Sequence, residues 1–118
     1  MSEIGKFRSR SQSDLLQTLE GHIGTLNFSG KLVVKRESSS GHPNAPSHKI
    51  YFARPDSANV EIGAAWTQKI KTGERLGEEF LSAQIDDPSM PHALSFGIFQ
   101  EDENGSWNAT WRRRQDRQ

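Results

Sequence analysis

Apolar and polar residues alternate along most of this chain, and the alternation has a period of two. Val60, Ile62, Ala64 and Trp66 alternate with Glu61, Gly63, Ala65 and Thr67. Leu81, Ala83 and Ile85 alternate with Ser82, Gln84 and Asp86. Such spacing turns one set of side chains to a core and the other to water, which is the signature of half-buried strands. The stretch from Val60 to Pro88 therefore predicts two strands joined by a long polar loop.

The same pattern recurs on either side. Ile4–Phe7 predicts a short first strand. Ser13 could cap a helix carrying Leu15, Leu16 and Leu19 on one face. Alternatively, a strand begins near Leu19 and runs through Ile23 to Leu26; Gly21 and Gly24 would weaken a helix there. Lys31–Glu37 sets Leu32 and Val34 against Val33 and Lys35. Residues 38–47, with two prolines, a glycine and four serines, read as a loop. His48–Ala53 sets Ile50 and Phe52 against Tyr51, and Arg54-Pro55-Asp56-Ser57 has turn chemistry. Leu94, Phe96 and Ile98 alternate up to Phe99. Asn104-Gly105 is the strongest hairpin signal, and Trp107, Ala109 and Trp111 follow it on one face. Six or seven closely spaced strands and no long helix predict an all-β fold: a small antiparallel barrel or curled sheet.

Size narrows the picture. The 118 residues make one domain, 1–118, with a flexible segment at 8–14 and a basic tail at 112–118. Only 32 % of residues are hydrophobic, so the core must be thin; a curled sheet needs only alternate positions for it. Fifteen basic and fifteen acidic residues balance, which lowers the expectation of non-specific nucleic-acid binding. The tail, with four Arg and one Asp, is the clearest local excess. There is no cysteine, which excludes disulfide scaffolds and thiol chemistry. The N-terminal residues lack an apolar signal core and no apolar run could span a bilayer, so a cytoplasmic protein without membrane contact is expected.

The chain resembles the domain-of-unknown-function family 736. The resemblance rests on Ile4-Gly5-Lys6-Phe7, Asn44-Ala45-Pro46 before a strand, Glu61-Ile62-Gly63-Ala64-Ala65-Trp66, Leu81-Ser82, Asp86-Asp87-Pro88 and Thr110-Trp111, in that order. It implies a small cytoplasmic bacterial protein of plasmids or integrated mobile elements, and it brings no catalytic residues. The Trp66–Phe80 loop and the Arg8–Thr18 segment are longer than the family pattern.

Candidate chemistry is sparse. Asp86 and Asp87 with His92 offer too few convergent oxygens for a hard cation, so no metal is expected. The four histidines lack metalloprotease spacing, and no serine sits in a nucleophile elbow. Lys69–Gly77 has two glycines without the ending of a phosphate-binding loop, and reads as a mobile surface loop. The expectation is a binding protein without catalysis or cofactor. It would work as adaptor or steric inhibitor through an exposed edge strand, the 67–79 loop with Lys69, Lys71, Glu74 and Arg75, and the tail residues Arg112, Arg113 and Arg114. A bacterial defence complex, including a CRISPR effector, or conjugation machinery is the partner class that the resemblance suggests. The alternative is a single-stranded nucleic-acid barrel in which Trp111 stacks bases beside Arg112–Arg114, helped by Lys31, Lys35 and Arg36.

Overall fold

A computed structural model describes residues 2–10, 17–26, 29–37, 45–54, 58–71, 73–88, 90, 92–101 and 105–111. Among the described residues eight strands follow one another: β1 (Ser2–Ser9), β2 (Thr18–Gly24), β3 (Ser29–Arg36), β4 (His48–Phe52), β5 (Val60–Lys69), β6 (Glu79–Ile85), β7 (Leu94–Gln100) and β8 (Ser106–Trp111). Each pairs antiparallel with the next, and β1 pairs with β8 to close the barrel. The all-β antiparallel barrel is as the alternation predicts, with eight strands in place of six or seven. The short first strand extends over eight residues and supplies the closing pair. Closure also removes the exposed edge strand expected from sequence, because every strand has two neighbours.

Eight strands enclose a space that side chains can fill. Phe7, Leu19, Ile23, Leu32, Val34, Ile50, Leu81, Ile85, Ile98 and Trp107 fill it from all sides and are almost wholly buried. Beside them lies Ser9, whose Oγ accepts a 2.8 Å hydrogen bond from Trp107 Nε1. An indole N–H buried without a partner would cost free energy, so this inward serine satisfies the largest core side chain. Arg8 and Ser9 fall within β1, and residues 11–14 of the segment expected to be flexible lie outside the described residues. Of residues 13–20, for which the sequence leaves helix and strand both open, Thr18–Glu20 belong to β2, and 13–16 lie outside the described residues. Gly21 sits where β1 crosses closest, since a Cβ there would lie 2.0 Å from the Lys6 carbonyl oxygen.

The phase of β5 departs from the simple alternation. The sequence pattern puts Val60, Ile62, Ala64 and Trp66 together. In the barrel Ile62 and Ala65 join the core, while Val60 is exposed and Trp66 half-buried. The cause is a register irregularity between β4 and β5, where Ile50 faces Gly63 but Tyr51 faces Glu61. One extra residue there reverses the inside–outside order that follows it.

Candidate functional site

The outer wall over β5–β8 is built from the residues that alternate with the core. They are Ala64, Trp66 and Gln68 on β5; Phe80, Ser82 and Gln84 on β6; Ser95, Gly97 and Phe99 on β7; and Asn108 and Thr110 on β8. None of these eleven residues is charged, in a chain of which 25 % is charged. Phe80 and Phe99 stack across the β6–β7 ladder with centroids 4.6 Å apart and planes 11° from parallel. The Phe99 ring lies back over Gly97, where a Cβ would fall 2.5 Å from its Cε1. Only glycine leaves that space. Ser82, Ser95, Phe96 and Thr110 complete a shallow groove around the pair.

Two buried polar atoms of β8, Asn108 Oδ1 and Thr110 Oγ1, have no hydrogen-bond partner among the described residues; Thr110 lines this groove, and both residues line a neighbouring depression. A buried acceptor without a donor is costly.

The β5–β6 connection frames one end of the wall. Ile70 N–H donates to Glu78 O at 2.9 Å, and Gly77 N–H donates to Ile70 O at 2.9 Å. Gly73 and Gly77 take positive φ values of 92° and 91° to make the turns. The loop expected to be mobile is thus closed by its own backbone bonds. Arg75 fastens it to the barrel: its Nη2 donates 2.6 Å to Gln100 O and 2.9 Å to Glu78 Oε1. Glu74 and Arg75 line a second depression with Ile70, Phe99 and Asn108. Lys69, Lys71 and Leu76 are exposed on the same connection. Of the residues expected from sequence there, Glu74 and Arg75 border the uncharged wall, and Lys69 pairs with Glu79 across the β5–β6 ladder. Arg112, Arg113 and Arg114 lie outside the described residues.

Of the residues of the nucleic-acid alternative, Lys31, Lys35 and Arg36 share β3, while Trp111 ends β8, with β1 and β2 between. Trp111 lies half-buried and opposite Ser2. At the β6–β7 connection Asp86, Asp87 and His92 line one depression. The turn there is closed by Met90 N–H donating to Asp87 O at 2.8 Å. No cluster of three or more potential metal ligands occurs among the described residues. Ser47 Oγ lies 2.8 Å from His48 Nδ1, but it also accepts from Thr67 N–H at 3.0 Å and lies 2.8 Å from Thr67 Oγ1. With His48 fully buried, this pair ties β4 to β5.

Sequence reasoning missed Trp66, Phe80, Phe99, Asn108 and Thr110 as a group. The available signal was the lack of charge at alternate positions over Ala64–Gln68, Phe80–Gln84, Ser95–Phe99 and Asn108–Thr110.

The fold and this wall define a closed up-and-down β-barrel that carries an uncharged, aromatic outer face. Residues 3–114 match the family model described as "Protein of unknown function (DUF736)", and the chain belongs to that family. No curated protein and no solved structure matches it.

Proposed function

We propose that this is a non-enzymatic recognition protein that binds a protein partner through the outer wall of β5–β8. The observation that carries the reading is the run of eleven uncharged outward positions bearing the stacked Phe80–Phe99 pair. Protein interfaces are depleted of charge at their centres and enriched in aromatic residues, with a polar rim. Glu74 and Arg75 supply charge at the rim of this wall, with Lys69 and Lys71 exposed on the same connection. Apolar side chains inside and charges outside reverse the arrangement of a lipid-facing barrel, which supports an aqueous setting. The mode of action is steric: occupation of a partner surface as adaptor or inhibitor. A bacterial defence or conjugation complex is the partner class suggested by family resemblance.

The test compares the full chain with its Phe80→Ser/Phe99→Ser variant as bait in the native host, after nuclease treatment. The expected result is a protein retained by the natural chain and lost by the variant, with both baits giving the same folded circular-dichroism spectrum. Equal retention by both would remove the wall from the interface.

A further inference from the structure

The opposite wall, over β1–β4, has a different composition. Strand register sets three rows across it. Lys6, His22 and Lys31 form one row. Arg8, Glu20, Val33, Tyr51 and Glu61 form the next. Thr18, Lys35 and Lys49 form the third, with Arg10 just beyond β1. Six cations thus share the wall with Glu20 and Glu61. Val33 is buried at 6 % exposure yet stands apart from the barrel core, because it points outward beneath this cover. Glu20 is shared by Arg10 at 2.6 Å and Lys31 at 3.6 Å, and Glu61 lies 3.6 Å from Lys49. Lys35 Nζ stands 6.0 Å from the centroid of the Tyr51 ring.

The whole chain is divided in the same sense. Residues 1–54 hold eight Lys and Arg against four Asp and Glu; residues 55–111 hold three against ten. A net charge of zero conceals this division.

We propose that the β1–β4 wall binds single-stranded nucleic acid without sequence preference, with Arg8, Lys31, Lys35 and Lys49 meeting phosphates and Tyr51 stacking a base. Lysines flanking an aromatic ring give the two elements such binding uses, a charged track and a π face. The wall of a small barrel is convex. A duplex, stiff over about 150 bp, touches a convex surface along a short line, whereas a single strand can follow it. A second copy of this chain fits less well. The acidic groups of the other half sit at opposite ends of the barrel, Glu74, Glu78 and Glu79 at one and Asp86 and Asp87 at the other, so they present no flat acidic wall. This site is separate from the protein-binding wall, and either can fail without the other.

Fluorescence anisotropy of a labelled 20-mer of thymidine tests it, using the full chain so that the Arg112–Arg117 segment is present throughout. Three to five phosphate contacts predict a loss of affinity of roughly 20- to 130-fold between 50 and 200 mM salt. Lys35→Glu/Lys49→Glu should weaken binding at least tenfold at 50 mM salt. Tyr51→Ala should cost about fivefold or more, and Tyr51→Phe less than twofold, because the phenyl ring still stacks. Phe80→Ser/Phe99→Ser should leave binding unchanged. All the substituted side chains of the basic wall are at least partly exposed, and a circular-dichroism melt verifies folding. No binding at 50 mM salt overturns the proposal. So does binding lost on truncation after Trp111 but insensitive to the wall variants, which would assign it to the tail. Equal binding of a 20-bp duplex overturns the single-strand assignment, and salt-sensitive self-association without oligonucleotide would assign the wall to a second copy.

Discussion

Single residues carry several of the decisive choices. Ser9 is a polar residue in an apolar interior, and its reason is the Trp107 N–H 2.8 Å away. Ser9→Ala should lower unfolding stability by about 1–3 kcal/mol, the cost of a buried donor left without an acceptor, as read from urea denaturation. A change below a few tenths would mean that the indole finds another partner. Leu19 is fully buried, and Leu19→Ala should cost about 2–5 kcal/mol in the same assay. These two residues differ in how legible they were. Leu19 stands out by alternation. Ser9 lies in a run of Arg and Ser that reads as a linker, and only the approach of β8 gives it a place inside. Phe99 was legible as a strand residue and Phe80 only as the end of the expected loop, and their meeting depends on the β6–β7 register, which spacing alone leaves open.

At the scale of elements, strands were readable and their phase was less so. Leu32 with Val34, Leu81 with Ala83 and Ile85, and Phe96 with Ile98 face inward as their spacing predicts. In β5 the irregularity opposite Ile50 and Tyr51 shifts the order, so Trp66 moves to the outer wall. A bulge changes facing without changing composition, and the sequence carries little trace of it. The β5–β6 connection has a polar, glycine-bearing sequence that suggests mobility; backbone bonds between Ile70 and Glu78 and between Gly77 and Ile70, with Arg75 reaching Gln100 O, give its described residues local order to test. Arg75→Gln removes the ion pair to Glu78 and the reach to Gln100 O. Because Arg75 is exposed, stability should fall by less than about 1 kcal/mol. Amide exchange at Ile70 and Gly77 should nonetheless speed up while that of Leu81 does not, which hydrogen-exchange measurements resolve. Unchanged exchange at Ile70 would show that the backbone bonds suffice.

Across the whole molecule, closure and the division of its surface govern behaviour. Contact between β1 and β8 joins residues more than a hundred positions apart, from Ser2 to Trp111. Removal of residues 1–8 exposes the edges of β2 and β8, and unpaired edges template aggregation. The shortened chain should therefore lose its single cooperative melting transition and associate on size-exclusion chromatography; a monomer with an unchanged melt would contradict closure. Composition gave the neutral total and the basic tail, but not the two unlike walls, because alternate positions must be separated before the charges sort. The protein-binding reading stands or falls on the uncharged wall. The most direct measurement places a photo-reactive phenylalanine analogue at Ser82 or Ser95 in that wall, and at His22 or Glu61 in the other, followed by irradiation in the native host. The expected result is cross-links to one and the same protein from Ser82 and Ser95, and none to it from His22 or Glu61. No protein cross-link from Ser82 and Ser95, or the same protein cross-linked equally from both walls, would contradict it.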